Sequence, residues 1–308
     1  MSRHGGIRCE QAFTAERGVD MANSSAVKRT GTFDIGTEYA AKAVGTQAET
    51  EEYARDNISY WSKRSFSFSK NRQEELATDQ HAVWSRTLDE RIAAHFPGKS
   101  RGEIKVLDIG TGPGFFAILL SELGYQVTAT DYTKAMLVQA KHNAGELAKD
   151  IRFLQMDAQH LAFADFSFDV IVSRNLTWNL REPEQAYAQW CRVLKPGGLL
   201  LNFDANWYRY LYDEAALSGH LHDRENVCCG DVEDDRAGTD IDSMESIALR
   251  APLSMQLRPQ WDLNILEKYG MCAAADPDIW KSVWTKKELI NNASTPMFLV
   301  WAYKRKPH

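Results

Sequence analysis

Lys105-Val106-Leu107-Asp108-Ile109 runs directly into Gly110-Thr111-Gly112-Pro113-Gly114, and an apolar helix pattern follows from Phe115. A buried strand that ends in a glycine loop and feeds a helix opens a crossover unit, and the missing Cβ atoms let the backbone turn sharply against a ligand. Two common cofactors are disfavoured by its details. A dinucleotide fingerprint needs a third glycine at position 115, which is Phe115, and the Gly-Lys-Ser beginning at Gly98 lacks the earlier glycine of a P-loop because Ala93 stands there. Asp108, at the strand end, would repel a ligand phosphate but suits a cationic amine.

The rhythm of the chain extends this unit. Strands are expected at Ile104–Leu107, Val127–Thr130, Ile151–Gln155, Phe168–Ser173 and Leu199–Phe203, with helices at Phe115–Leu123, Lys134–Ala148 and Pro183–Leu194 between them. Pro183 opens the last of these helices, and Lys195-Pro196-Gly197-Gly198 closes it. Alternation of this kind predicts a doubly wound α/β core with right-handed crossovers. Helix 262–269 and strands at 271–275 and 297–303 end the sheet, the last two able to pair antiparallel.

Five segments are expected: a disordered leader over 1–45, an N-terminal helical lid over 46–100, a cofactor-binding core over 101–206, an inserted substrate cap over 207–260 and the C-terminal part of the sheet over 261–308. The lid reads as helix broken near Tyr60-Trp61-Ser62-Lys63-Arg64-Ser65-Phe66-Ser67-Phe68, and the cap reads as irregular.

Ligands of open parallel sheets lie beyond the carboxyl ends of the strands. Asp131, ending the second strand, is placed for two ribose hydroxyls, Asp157 after the third for an adenine amino group, and Met136 for the ring face. The segment 105–206 resembles the class I S-adenosylmethionine-dependent methyltransferases, closest in style to the small-molecule branch of ubiquinone and menaquinone C-methyltransferases. The resemblance rests on Val106 to Gly114, Asp131, Met156-Asp157-Ala158, Phe168-Asp169-Val170-Ile171 and Arg192-Val193-Leu194-Lys195-Pro196-Gly197-Gly198. It implies a Rossmann-like seven-stranded sheet, mostly parallel with the last strand antiparallel, and S-adenosyl-L-methionine as cofactor. The cofactor-binding set is then Tyr60, Asp108, Gly110, Thr111, Gly112, Gly114, Phe115, Asp131, Tyr132, Met136, Asp157, Ala158, Arg174 and Asn175.

The methyl acceptor is expected at the remaining strand ends, with Asn175, Asp204 and Asn206 against it and His220 as a candidate general base. Lid and cap together favour an enclosed small molecule. Rival readings are a quinone-type C-methyltransferase, with an apolar pocket of Phe66, Phe68, Trp178 and Trp207, and a noncatalytic S-adenosylmethionine-binding partner protein. Ser173-Arg174-Asn175-Leu176-Thr177-Trp178 departs from the Asn/Asp-Pro-Pro-aromatic motif of adenine and amide N-methyltransferases.

Composition narrows the partners. A net charge of −6 speaks against a basic nucleic-acid footprint. No apolar run approaches the ~18 residues of a membrane span, and no secretory segment is recognised, so a cytoplasmic location is expected without membrane contact. The five cysteines follow no disulfide or zinc spacing, and His220, His222, Cys228 and Cys229 match no familiar metal pattern.

Overall fold

The computed structural model describes residues 46–230 and 232–305; the leader expected over 1–45 lies outside the described residues. In chain order the elements are α1 (Gln47–Leu76), α2 (Asp79–His95), β1 (Lys105–Ile109), α3 (Phe115–Glu122), β2 (Gln126–Asp131), α4 (Lys134–Ala144), β3 (Arg152–Gln155), β4 (Phe168–Arg174), α5 (Pro183–Val193) and β5 (Leu194–Asp204). Then follow α6 (Glu214–Cys229), α7 (Ile241–Ala248), α8 (Gln260–Lys268), β6 (Met271–Asp276), α9 (Trp280–Val283), α10 (Lys286–Asn292) and β7 (Phe298–Lys304).

The seven strands form one sheet in the order β3-β2-β1-β4-β5-β7-β6, with β7 antiparallel to both neighbours. The pleat sorts its side chains between two cores. Val170, Val172, Leu199, Leu201 and Phe203 face α2 and α3, where Trp84, Leu88 and Phe116 are buried. Ile171, Leu200 and Val300 face α5 and α8 on the other side, against Tyr187, Trp190 and Leu266. Each such large side chain contributes about 1.5–3 kcal/mol by leaving water. A third cluster joins Tyr53 and Tyr60 of α1 to Trp178 and to Met244 and Ile247 of α7.

Several boundaries differ from expectation for local reasons. The break near 60–68 is absent: α1 is continuous, starting from a Thr46–Glu49 capping box. Its serines stay inside the helix because Ser65 and Ser67 donate to the carbonyls of Ser62 and Arg64. The helix that starts at Lys134 stops at Ala144, where Gly145 takes φ 53°, and a 3-10 turn completes the stretch. Strand β5 begins at Leu194, opposite Phe168, and its register slips before Leu199 pairs with Val170, so the Pro-Gly-Gly turn is a bulge inside a strand. The 207–260 segment is helical through α6 and α7, and α9 and α10 between β6 and β7 were not expected. Among the described residues no helix is long and apolar enough to cross a membrane.

Candidate functional site

A cavity of about 540 Å³ opens beyond the carboxyl ends of β1, β2 and β4, roofed by α1 and bordered by the 207–260 segment. Its floor is the glycine loop. Gly110 takes φ +69°, and a Cβ there would stand 2.7 Å from Leu176 Cδ2, so both the turn and the packing demand glycine. Gly114 has a different job from the one expected: it does not line the cavity but lets α3 approach α4, where a Cβ would meet Ala140 Cβ at 3.1 Å.

Asp108 is 2% exposed yet lines the cavity, and accepts a hydrogen bond from Thr111 Oγ1 at 2.6 Å. Burial pushes its carboxyl up to about 7; the Thr111 hydroxyl works against that, and nearby Asp131 adds to it. Asp131 ends β2, with Oδ2 accepting from the Gly112 N–H at 2.9 Å and Oδ1 from the Thr133 N–H at 2.8 Å. Burial raises it to about 6 in spite of those two donors. The carboxylate thus ties the glycine loop to the start of α4 and still has free lone pairs.

Tyr132, Met136 and Ala158 line the same wall, as do Thr111 and Phe115. Asp157 also lines it, though one oxygen already accepts from the Gln159 N–H at 2.8 Å. Tyr60 closes the roof, its hydroxyl accepting from Arg64 Nη1 at 3.0 Å. Asn175 sits at the end of β4 with φ 56°; its N–H donates to the Phe203 carbonyl at 2.8 Å, and its buried Oδ1 has no hydrogen-bond partner among the described residues. The left-handed backbone is what turns this side chain into the cavity wall.

Four expected residues have other roles here. Arg174 borders the cavity, but its guanidinium spans Glu75 at 3.0 Å and Glu288 at 3.6 Å and stacks 4.5 Å from the Trp84 ring centroid. It braces α1 and α10 to the end of β4. Asp204 is fully buried and does not line the cavity: it accepts from Arg258 Nη1 at 2.7 Å and from the Trp178 N–H at 3.0 Å. Asn206 likewise clamps the backbone of Arg258, donating to its carbonyl and accepting from its N–H. His220 does line the cavity, stacked on Tyr210 at 3.9 Å. Its Nε2 lies 2.8 Å from Arg236 Nη1, and since a guanidinium can only donate, that nitrogen is the acceptor and its lone pair is spent. Burial and the charges of Arg236 and Arg224 lower its pKa to about 4. A neutral ring with an occupied lone pair holds Arg236 in place and is a poor general base.

The rest of the wall is aromatic and cationic. Phe68, Trp178 and Trp207 line it, whereas Phe66 is 74% exposed and stands outside. Sequence reasoning missed Arg64, Arg72, Tyr210 and Arg236, together with Asn291 and Asn292 of α10. The four-residue spacing Tyr60, Arg64, Phe68, Arg72 was the available signal, and the supposed helix break hid it. Among the described residues no cluster of three or more His, Cys, Asp or Glu is arranged to hold a metal ion.

Residues 107–202 match a family described as methyltransferase domain. The chain is 37% identical over 120 residues to a demethylmenaquinone methyltransferase of Deinococcus radiodurans, covering 38% of this chain and 47% of that one. It is 30% identical over 174 residues to a glycine/sarcosine N-methyltransferase of Parasynechococcus marenigrum, covering 52% and 61%. The chain spans about half the length of the curated relatives it matches. Among solved structures, the plantazolicin methyltransferase BpumL superposes with TM-score 0.51 at 15% identity, over 84% of this chain and 100% of that one, a likeness of fold.

Proposed function

We propose that this chain is a class I S-adenosylmethionine-dependent methyltransferase, a reading supported by the match of residues 107–202 to a methyltransferase domain, and that it methylates a small molecule enclosed between the sheet, α1 and the 207–260 segment. The observation that carries the reading is the convergence on one cavity of Asp108, the Gly110–Gly112 turn and Asp131, with Asn175 at the next strand end. This set fits the cofactor's chemistry. Asp108 suits the ammonium, Asp131 the ribose diol through lone pairs that Gly112 and Thr133 leave open, and Asp157 the adenine amino group. Met136 and Tyr132 cover the flanks of such a ligand. The Asn175 Oδ1, buried without a partner among the described residues, is an acceptor for a polar hydrogen of the bound molecules.

S-adenosylmethionine supplies a methyl group already activated on sulfonium. What remains for the protein is to bind two molecules side by side, hold them in line and exclude water. The lid face of α1 and the aromatic wall at Trp178 and Trp207 serve that end. His220, whose lone pair is engaged by Arg236, is assigned to positioning the wall, and Asp204 to holding Trp178. The two relatives act, by their names, on demethylmenaquinone and on glycine or sarcosine, so the acceptor atom stays open between C, N, O and S.

Calorimetric titration with S-adenosylmethionine and S-adenosylhomocysteine tests the reading. Micromolar binding is expected, weakened about 10–100-fold in Asp131→Ala, the loss of one or two charge-assisted hydrogen bonds. No binding to folded wild type would sink the proposal. Binding without transfer of labelled methyl to any metabolite extract would favour the noncatalytic reading instead.

A further inference from the structure

The cavity is lined by charges of both signs, among them Asp108 and Asp131 beside the glycine loop and Arg64 on the middle of α1. Arg72, Arg174, Arg224 and Arg236 all line the cavity, and each forms an ion pair with a carboxylate. Arg64 forms none among the described residues; its guanidinium donates to the neutral Tyr60 hydroxyl and lies 5.8 Å from the Phe68 ring centroid. Arg181 also lacks a carboxylate, but its Nη1 is committed to the Arg250 carbonyl. Arg64 is therefore a partly buried guanidinium with most of its five donors uncommitted, in a place where carboxylate recognition would be well rewarded.

What surrounds it defines the rest of a ligand. Tyr208 lines the same cavity, packed in one cluster with Tyr60 and Trp61, and among the described residues its hydroxyl makes no hydrogen bond. Two runs of rings form the walls. Trp178, Tyr208, Tyr210 and His220 follow one another at 4.8, 5.8 and 3.9 Å between centroids, the first two pairs tilted and the last stacked. On α1, Trp61 lies between Tyr60 and Phe68 at 5.2 and 5.7 Å. Flat faces beside an unneutralised guanidinium fit a planar body that ends in an acid group. Arg64 and Tyr60 also border a second cleft of about 580 Å³ between α1 and α7, so the acid end would sit at the boundary of the two spaces.

We propose that Arg64, with the Tyr208 hydroxyl, is a carboxylate-recognition site that selects an aromatic acid as the methyl acceptor. The inference rests on the methyltransferase reading for the word acceptor, and on the side chains alone for the acid. It places the acid group on the lid helix.

The experiment is a titration of the full chain, with and without S-adenosylhomocysteine, using benzoate, salicylate and 4-hydroxybenzoate and the matching primary amides. Acids are expected to bind at least about tenfold tighter than their amides, the equivalent of about 1.4 kcal/mol. Arg64→Met removes that preference while affinity for S-adenosylhomocysteine stays within about twofold, and Arg64→Lys keeps part of it. Tyr208→Phe weakens the acids about threefold or more and leaves the amides unchanged. Equal binding of acids and amides overturns the proposal, as does no acid binding up to about 10 mM. If Arg64→Met instead loses S-adenosylhomocysteine and keeps the acid preference, Arg64 serves the cofactor's own carboxylate and the proposal falls. Failure of wild type to bind S-adenosylhomocysteine counts against the methyltransferase reading, and the acid–amide comparison made without it still decides the anion site.

Discussion

Burial holds Asp108 up to about 7 and Asp131 up to about 6, against the opposing hydrogen bonds of Thr111 and the Ala117 N–H on the first and of Thr133 and the Gly112 N–H on the second. Carboxyls raised in the folded state bind protons there that the unfolded chain has released, so their stabilising contribution is present below the ordinary value near 4 and is lost as pH rises through 6 to 7. A ligand ammonium beside Asp108 reverses the preference, because an adjacent cation favours the ionised form. Binding of S-adenosylhomocysteine at pH 6 should then expel close to one proton, and affinity should rise with pH to about 7. Calorimetry in two buffers of different ionisation enthalpy measures this directly; a proton count near zero would remove Asp108 from the ammonium. At this scale the sequence was most informative at Asp108 and Asp131, whose strand ends do meet on one cavity. It was least informative for Asp204, whose strand-end position looks the same on paper, while its real partners, Arg258 and the Trp178 N–H, are 54 and 26 residues away in sequence.

The lid helix shows how one element escapes reading. Strand alternation in β4 and β5 and the glycine turn after β1 are local patterns, and they placed the sheet correctly to within a few residues. Helix α1 carries no clear apolar stripe, because the face it turns to the cavity is Tyr53, Asn57, Tyr60, Arg64, Phe68 and Arg72, a mixture of rings and charges that serves a ligand and not a core. An ion cluster fastens its C-terminal end. Glu75 accepts from both Arg72 and Arg174; burial works against its charge, but the two guanidiniums outweigh it and keep the carboxyl below the usual range. Glu75→Gln would leave those two cations facing each other with only Glu288, 3.6 Å from Arg174, nearby. Hydrogen exchange should accelerate in the C-terminal half of α1 and leave β1 and β4 unchanged, with a global loss of about 2–4 kcal/mol. Uniform acceleration across the sheet would mean that α1 is not held as a separate unit.

At the scale of the whole molecule, the cavity exists because the 207–260 segment is fastened to the sheet from behind. Arg258 is fully buried and reaches Asp262 through Nε and Nη2 at 2.9 and 2.7 Å and Asp204 through Nη1 at 2.7 Å. Tyr187 of α5 donates to Asp262 at 2.6 Å, and Asn202 of β5 donates to both the Tyr187 hydroxyl and Thr177. Through Asp204 the network also fixes Trp178, so the buried cluster and the aromatic wall are one construction. Two carboxylates share one guanidinium, and burial raises Asp204 even though Arg258 lies against it. Arg258→Met keeps the bulk but leaves two buried carboxyls without a cation, and should cost about 3–5 kcal/mol in urea unfolding. If that cost arises from uncompensated charge, the triple variant Arg258→Met, Asp204→Asn, Asp262→Asn should recover part of it, since amides can be buried neutral. If it arises from packing against Phe298, 5.1 Å from the guanidinium, the triple variant should be no more stable than the single one. Recovery of stability without recovery of the Trp178 environment, read from its fluorescence, would show that the charge cluster sets the shape of the cavity and not merely the stability of the chain.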